Sequence, residues 1–185
     1  MTRQLFHPYT SAMTEDAAPA AAPRWLEPDE QQSWRAFVTM QTQLNAYLAR
    51  DIQAHTALSM PDFAVLVALT DACRGVRAFS LAETLQWEKS RLSHHLARME
   101  RRGLVTRGGC AEDGRGQQVA VTPAGRAAIE AAAPHHVETV RRVIFDALTP
   151  DEVAALGAIS RRVLDRLAAE APGGCGGPPY DTGGA

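Results

Sequence analysis

Residues 89–103 read Lys89-Ser90-Arg91-Leu92-Ser93-His94-His95-Leu96-Ala97-Arg98-Met99-Glu100-Arg101-Arg102-Gly103. Ser90 opens a helix that runs to about Arg102. Gly103 stops it, because glycine enters the left-handed backbone region without steric cost. Leu92, Leu96 and Met99 recur at i, i+4 and i+7 and form one face to bury. Arg91, His94 or His95, Arg98 and Arg102 fall on the other side. A helix divided in this way docks on a core through one face and offers cations to a DNA groove through the other. Arginine forks grip guanine edges or phosphate oxygens.

Working outward, the neighbours of this helix have readable starts and stops. Ser80-Leu81-Ala82-Glu83 is a capping box opening a short helix to about Gln86. Further upstream, Ser59-Met60-Pro61-Asp62 starts a helix that continues through Phe63, Leu66, Val67 and Thr70 to about Cys73. Downstream the period changes from helix to strand. Leu104–Arg107 and Gln117–Val121 read as two short strands, and the Gly-rich, acidic stretch between them as a hairpin tip. Thr122-Pro123 then starts a helix through about Ala147, with Pro134 a place for it to bend. Thr149-Pro150-Asp151-Glu152 starts the last helix, which ends near Ala169. At the other end, Trp34, Phe37, Met40, Leu44, Tyr47 and Leu48 make one apolar stripe on a helix over 28–52. The expected fold class is mainly α with a small β-hairpin wing. It is a winged helix-turn-helix over about 55–122, flanked by helical regions over 28–52 and 123–169.

Charge is concentrated where the motif is. From Lys89 to Arg115 there are seven basic residues against three acidic ones, a net of +4. The whole chain of 185 residues carries −2, which leaves −6 for the remainder. A basic segment on an acidic body is the footprint expected of local nucleic-acid contact. The hairpin tip carries Asp113-Gly114-Arg115-Gly116. There Asp113 can brace the arginine, and Arg115 can reach a narrow minor groove, where negative potential is enhanced.

What surrounds this segment limits the alternatives. Three cysteines, Cys73, Cys110 and Cys175, are an odd number at wide spacings and form neither a disulfide framework nor a paired metal motif. No apolar run is long enough to span a membrane, and there is no signal peptide pattern, so a cytoplasmic protein is expected. Residues 1–27 read as a disordered leader, with Met13 an alternative start, and 170–185 as a Gly/Pro-rich disordered tail.

With these residues in view, the chain resembles the MarR family of bacterial transcriptional regulators over residues 28–169. The stretches that carry the resemblance are LAETLQWEKSRLSHHLARMERRGLV and the wing CAEDGRGQQVAVTPAGR. The run WEKSRLSHHLARMERRGLV is similar to a subgroup common in actinobacteria. The resemblance implies a homodimer built from the N-terminal and last two helices. It also implies a pseudo-palindromic double-stranded operator, repression as the usual outcome, and release by a small phenolic or aromatic effector. It places the recognition helix at Ser90–Arg102 and the wing arginine at Arg115.

The residue assignments follow. Ser90, Arg91, Ser93, His94, His95 and Arg98 are expected in the major groove, Lys89 and Arg102 at phosphates, and Arg115, braced by Asp113, in the minor groove. An effector cleft between dimer helices and DNA-binding lobe would be lined by Trp34, Tyr47, His55 and Phe63. The stripes Val137, Val140, Ile144, Leu148 and Val153, Leu156, Ile159, Val163, Leu167 fit either a monomer core or a partner's helices. Periodicity alone does not choose, and the family resemblance favours the partner. No metal and no cofactor is expected. His94-His95 and His135-His136 are adjacent pairs that diverge by about 100° on a helix, so a zinc site would need His55 or a glutamate from elsewhere. Two other regulatory readings are a winged helix used only for protein contacts and a redox sensor using Cys73 or Cys110. Catalytic motifs are not found, so an enzyme is not expected.

Overall fold

The computed structural model describes residues 23–70, 72, 75–109 and 117–170. Asp113, Arg115, the three cysteines, most of the expected leader and nearly all of the expected tail lie outside the described residues. The chain divides into two compact units, Met1–Met40 and Gln41–Ala185.

In the first unit the described residues are 23–40. Helix α1 (Pro28–His55) begins here, three residues longer at its end than the stripe suggested. Its first turn is held by its own side chains. The Glu27 amide donates to Glu30 Oε2 at 2.8 Å, and Gln31 Nε2 donates to the Leu26 carbonyl at 3.2 Å. The Trp34 and Phe37 rings stack with centroids 5.9 Å apart and are both exposed.

The second unit continues α1 and adds α2 (Met60–Thr70), β1 (Val76–Arg77), α3 (Ala78–Leu85), α4 (Lys89–Arg101), β2 (Val105–Gly109), β3 (Gln117–Val121), α5 (Pro123–Val143) and α6 (Pro150–Glu170). A single 3-10 turn, Phe145–Ala147, sits between α5 and α6. The strands form one antiparallel sheet in the order β1-β3-β2. In the hairpin Val105 pairs with Val121 and Gly109 with Gln117. This is a winged helix-turn-helix. Its core gathers Val65 and Leu66 of α2, Leu81 of α3, Leu92, Leu96 and Met99 of α4, Val105 and Val119 of the sheet, and Ile129 of α5.

Three elements differ from the sequence expectation. β1 spans two residues, too few to show a period of two. Its pairing of Arg77 with Gln118 holds Arg77 extended at the N-cap of α3 (φ −64°, ψ 135°). The helix therefore starts at Ala78 with no side-chain cap, and Ser80, expected as the cap, lies inside it. Helix α4 likewise starts at Lys89, with Glu88 at its N-cap and no side-chain cap, so Ser90, expected to open it, lies inside the helix. At α5 and α6 the caps are as read. Thr122 Oγ1 accepts from the Gly125 amide at 3.0 Å. Thr149 and Glu152 exchange hydrogen bonds through side chain and backbone, with the Thr149 amide donating to Glu152 Oε2 at 2.7 Å. Pro134 lies within α5, which runs unbroken to Val143.

The joint between α4, the hairpin and α5 is close-fitting. Thr122 donates its amide to the Leu104 carbonyl at 3.1 Å and its hydroxyl to the Gly103 carbonyl at 2.6 Å. Gly125 lies directly against this turn, and a Cβ there would stand 2.0 Å from the Leu104 carbonyl oxygen. Only glycine fits. By contrast, α6 buries none of its residues: Ile159 and Leu167 are each 59% exposed and Val163 53%.

Candidate nucleic-acid interface

The turn into α4 fixes the helix's direction. Gln86 closes α3 in the left-handed conformation (φ 52°), a strained backbone for a side chain other than glycine or asparagine. The Trp87 amide donates to the Ala82 carbonyl at 2.9 Å. Trp87 then serves as a platform. The Arg91 guanidinium lies 4.4 Å over its ring, and the His95 ring meets it edge-on at 5.5 Å. Lys89 stands 4.7 Å over the exposed Phe79 ring. Each such cation contact contributes about 0.5–1 kcal/mol at an exposed site and, more to the point, holds the cation in place.

Along α4 the buried positions are Leu92, His95, Leu96 and Met99, at i, i+3, i+4 and i+7. Lys89, Ser90, Arg91, Ser93, His94, Arg98 and Arg101 are exposed. Thus the helix presents a polar, cationic face and buries the stripe that holds it to the core.

One of the expected DNA contacts is corrected by this packing, and a second is given partners within the chain. His95 belongs to the buried stripe, at 6% exposure. Its Nδ1 accepts from Arg98 Nη2 at 2.9 Å, since a guanidinium has only donors. Its Nε2 lies 3.1 Å from Asp62 Oδ1. The sequence left His94 and His95 level; only the i+3 spacing from Leu92 separates them. Arg102, which stays exposed, is the second. Its Nη1 donates to Asp62 Oδ2 at 2.7 Å and its Nη2 to the Ala57 carbonyl at 2.6 Å. The guanidinium is therefore engaged within the chain, joining the end of α4 to the start of α2.

Asp62 is the node the sequence reading missed. It was read only as an acid suited to a helix start. It accepts from the Ser59 amide at 2.9 Å while Ser59 Oγ accepts from its own amide at 3.2 Å, and it also holds Arg102. Burial raises its pKa, but the Ser59 and Arg102 hydrogen bonds outweigh burial and hold the carboxyl below its ordinary value. For His95, burial is the largest cause and lowers the pKa below its ordinary value; Asp62 opposes this and Arg98 adds to it.

In the wing, Arg107 is paired with Glu100 of α4: its Nε and Nη2 both reach Glu100 Oε2, and its amide donates to Oε1. The residues between Gly109 and Gln117, with Asp113 and Arg115, lie outside the described residues.

The effector candidates divide. Trp34 lies in the first unit, beside Phe37. In the second unit, α1 and α5 form a seam. Tyr47 accepts from Arg142 Nη2 at 3.2 Å, and Asp51 accepts from Thr139 at 3.0 Å and pairs with His135 Nε2 at 2.8 Å. His55 lies over His135. Phe63 is buried against the His136 ring, 4.6 Å between centroids. A separate cavity of about 370 Å³ opens between the α1–α2 turn and α4, with Ser59, Asp62, His95 and Arg98 among its walls. None of the four effector candidates lines it.

No protein-family profile and no curated protein matches the chain. Solved structures do. AbsC, a MarR family transcriptional regulator from Streptomyces coelicolor, is 34% identical, with a TM-score of 0.75 over 80% of this chain and 100% of its own. Sco3205, a MarR family transcriptional regulator of the same organism solved in complex with DNA, is 37% identical, also at 0.75, over 80% of this chain and 93% of its own. A mutant MarR from E. coli complexed with operator DNA matches at 23% identity with a TM-score of 0.65, a likeness of fold, over 72% of this chain and 94% of its own.

Proposed function

This chain belongs to the MarR family of transcriptional regulators, and from that premise we propose that it is a homodimeric repressor that binds a pseudo-palindromic operator. The single observation that carries the reading is the face of α4: Ser90, Arg91, Ser93, His94 and Arg98 point outward while Leu92, His95, Leu96 and Met99 are buried. In the proposal that face enters the major groove and Lys89 meets a phosphate. Arg115, with Asp113 beside it, reaches the minor groove from the wing. His95 and Arg102 are left out of the contact set.

The dimer is part of the same proposal. An amphipathic helix in water needs a cover for its apolar face, and among the described residues α6 buries none of its own. A partner's helices supply it, and two-fold symmetry then spaces two copies of α4 about 34–36 Å apart, one turn of DNA. Control by a small molecule is assigned to the seam of α1 and α5. No single helix among the described residues is long and apolar enough to cross a membrane, and the proposed site of action is the cytoplasm.

Selection of bound sequences from a random duplex pool tests the reading as a whole. The expected result is a two-fold-symmetric consensus whose affinity falls steeply with salt, as arginine–phosphate contact requires. A pool that yields no enrichment, together with salt-independent retention, would point instead to a winged helix used for protein contacts.

A further inference from the structure

The seam between α1 and α5 holds a cluster the DNA-binding reading does not use. Asp51 and His55 lie one helical turn apart on α1, and α5 brings His135 against them. One ligand atom from each of the three lies within 4.8 Å of the others. Asp51 Oδ2 is 2.8 Å from His135 Nε2, and Asp51 Oδ1 is 3.6 Å from His55 Nδ1. The two imidazole rings are 4.2 Å apart, tilted by 34°. Thr139, 1% exposed, donates to Asp51 Oδ2 at 3.0 Å and fixes the carboxylate from behind.

Two imidazoles and one carboxylate, with the His55 side chain 54% exposed, match the three-ligand donor set of a tetrahedral site that leaves one position for water. Nitrogen-rich donors favour zinc, cobalt or nickel over magnesium or calcium, which prefer all-oxygen shells. We propose that Asp51, His55 and His135 bind one divalent transition-metal ion of the zinc class. Thr139 acts as the outer hydrogen bond that orients Asp51.

The rearrangement required is small. Bonds of about 2.0–2.1 Å to a tetrahedral ion set neighbouring ligand atoms somewhat over 3 Å apart, so the Asp51–His135 contact opens by a few tenths of an ångström. The ion replaces the proton that His135 Nε2 shares with Asp51. His55 Nδ1 lies 2.8 Å from the Asp51 carbonyl, so its ring either ligates through Nε2 or gives up that contact. At 54% exposure the side chain has room to turn. This inference names a ligand class for the seam to which effector control was assigned. It is measured without DNA, so a failure of operator binding would leave it standing.

The experiment is a cobalt(II) titration of the purified full-length chain, followed by its visible absorption, with zinc as competitor. One cobalt per chain is expected, with the absorption of nitrogen and oxygen ligands and displacement by zinc. His55→Ala and His135→Ala should each weaken binding by more than the roughly 10–100-fold expected of Thr139→Val, which removes only the outer hydrogen bond. His94→Ala, on α4, should bind like the wild type. Because His55 is largely exposed, its variant keeps the wild-type circular dichroism and melting temperature. Absence of cobalt binding would overturn the proposal. So would binding that survives both histidine substitutions, loss of binding in His94→Ala, or thiolate charge-transfer absorption showing that cysteines hold the ion.

Discussion

Helices α4 and α6 look alike as patterns, each an apolar stripe with charges on the opposite side, yet the chain treats them differently. In α4 the stripe is closed off: Leu96 is 1% exposed and Met99 fully buried. In α6 the stripe is open, with Ile159 at 59%. Periodicity reports that a helix has a face to cover and is silent about what covers it. The first stripe stabilises the single chain; the second is uncovered among the described residues, and in the proposed dimer a second copy covers it.

The largest effects test that contrast directly. Leu96→Ala removes buried methyl groups from the centre of the core and should cost about 2–5 kcal/mol of folding stability in a urea titration. Ile159→Glu should leave the fold of each chain in place and shift the mass in sedimentation from dimer to monomer. If Ile159→Glu unfolds the chain at high dilution while leaving the mass unchanged, the two stripes are not different in kind. Gly125→Ala comes next. Its methyl group would overlap the Leu104 carbonyl, and the resulting displacement of α5 from the α4–β2 turn should cost about 1–3 kcal/mol or more, read by the same titration.

Within α4 the contrast recurs on a finer scale, between an arginine bonded to His95 of its own helix and one that ties the end of α4 to the buried Asp62 of α2. Arg98→Ala should lower operator affinity by about 1–3 kcal/mol and relax the choice of base at its position, measured by anisotropy against mutated operators. Arg102→Ala should instead lower folding stability, by about 1 kcal/mol for a half-exposed ion pair and its carbonyl contact, and leave base preference alone. An Arg102 variant with unchanged stability and weakened operator binding would return that residue to the phosphate contacts.

Much of this was readable from the chain. The helix starts at Ser59, Thr122 and Thr149, the stop at Gly103 and the hairpin strands follow from local chemistry, which sequence expresses directly. What escaped depended on distant partners. β1 exists because β3 is beside it. The start of α3 moved because Arg77 is held in that strand. His95 looked like His94 until the packing of α2 took one ring inside. Asp62 and Arg102 are 40 positions apart. The α1–α5 cluster had a weak sequence signal: Asp51 and His55 continue the face of Tyr47 at four-residue spacing. An acid on an otherwise apolar stripe needs a partner, though not one that spacing can name.

The smallest effect concerns the buried neighbour of Asp62. Burial lowers the His95 pKa below the ordinary 6.5; Asp62 works against this, Arg98 and Arg91 with it, and the Trp87 ring covers the edge. The unfolded chain therefore holds more protons on this residue between the ordinary value and the depressed one. In that window stability must fall as pH falls, and it stays lowered below the folded value. The Asp62 carboxyl, also held low, acts in a separate and more acid range, below about 3.9, where its stabilising contribution is lost on protonation. Urea midpoints measured at pH 7.5 and 5.5 should therefore drop in the wild type and drop less in His95→Gln. The slope should shrink rather than vanish, because His136, lowered by burial beside Phe63, titrates in the same direction. Equal drops in the two proteins would mean that the His95 ring takes up its proton as readily in the folded chain as in the unfolded one, and that the buried row of α4 ends at its three apolar residues.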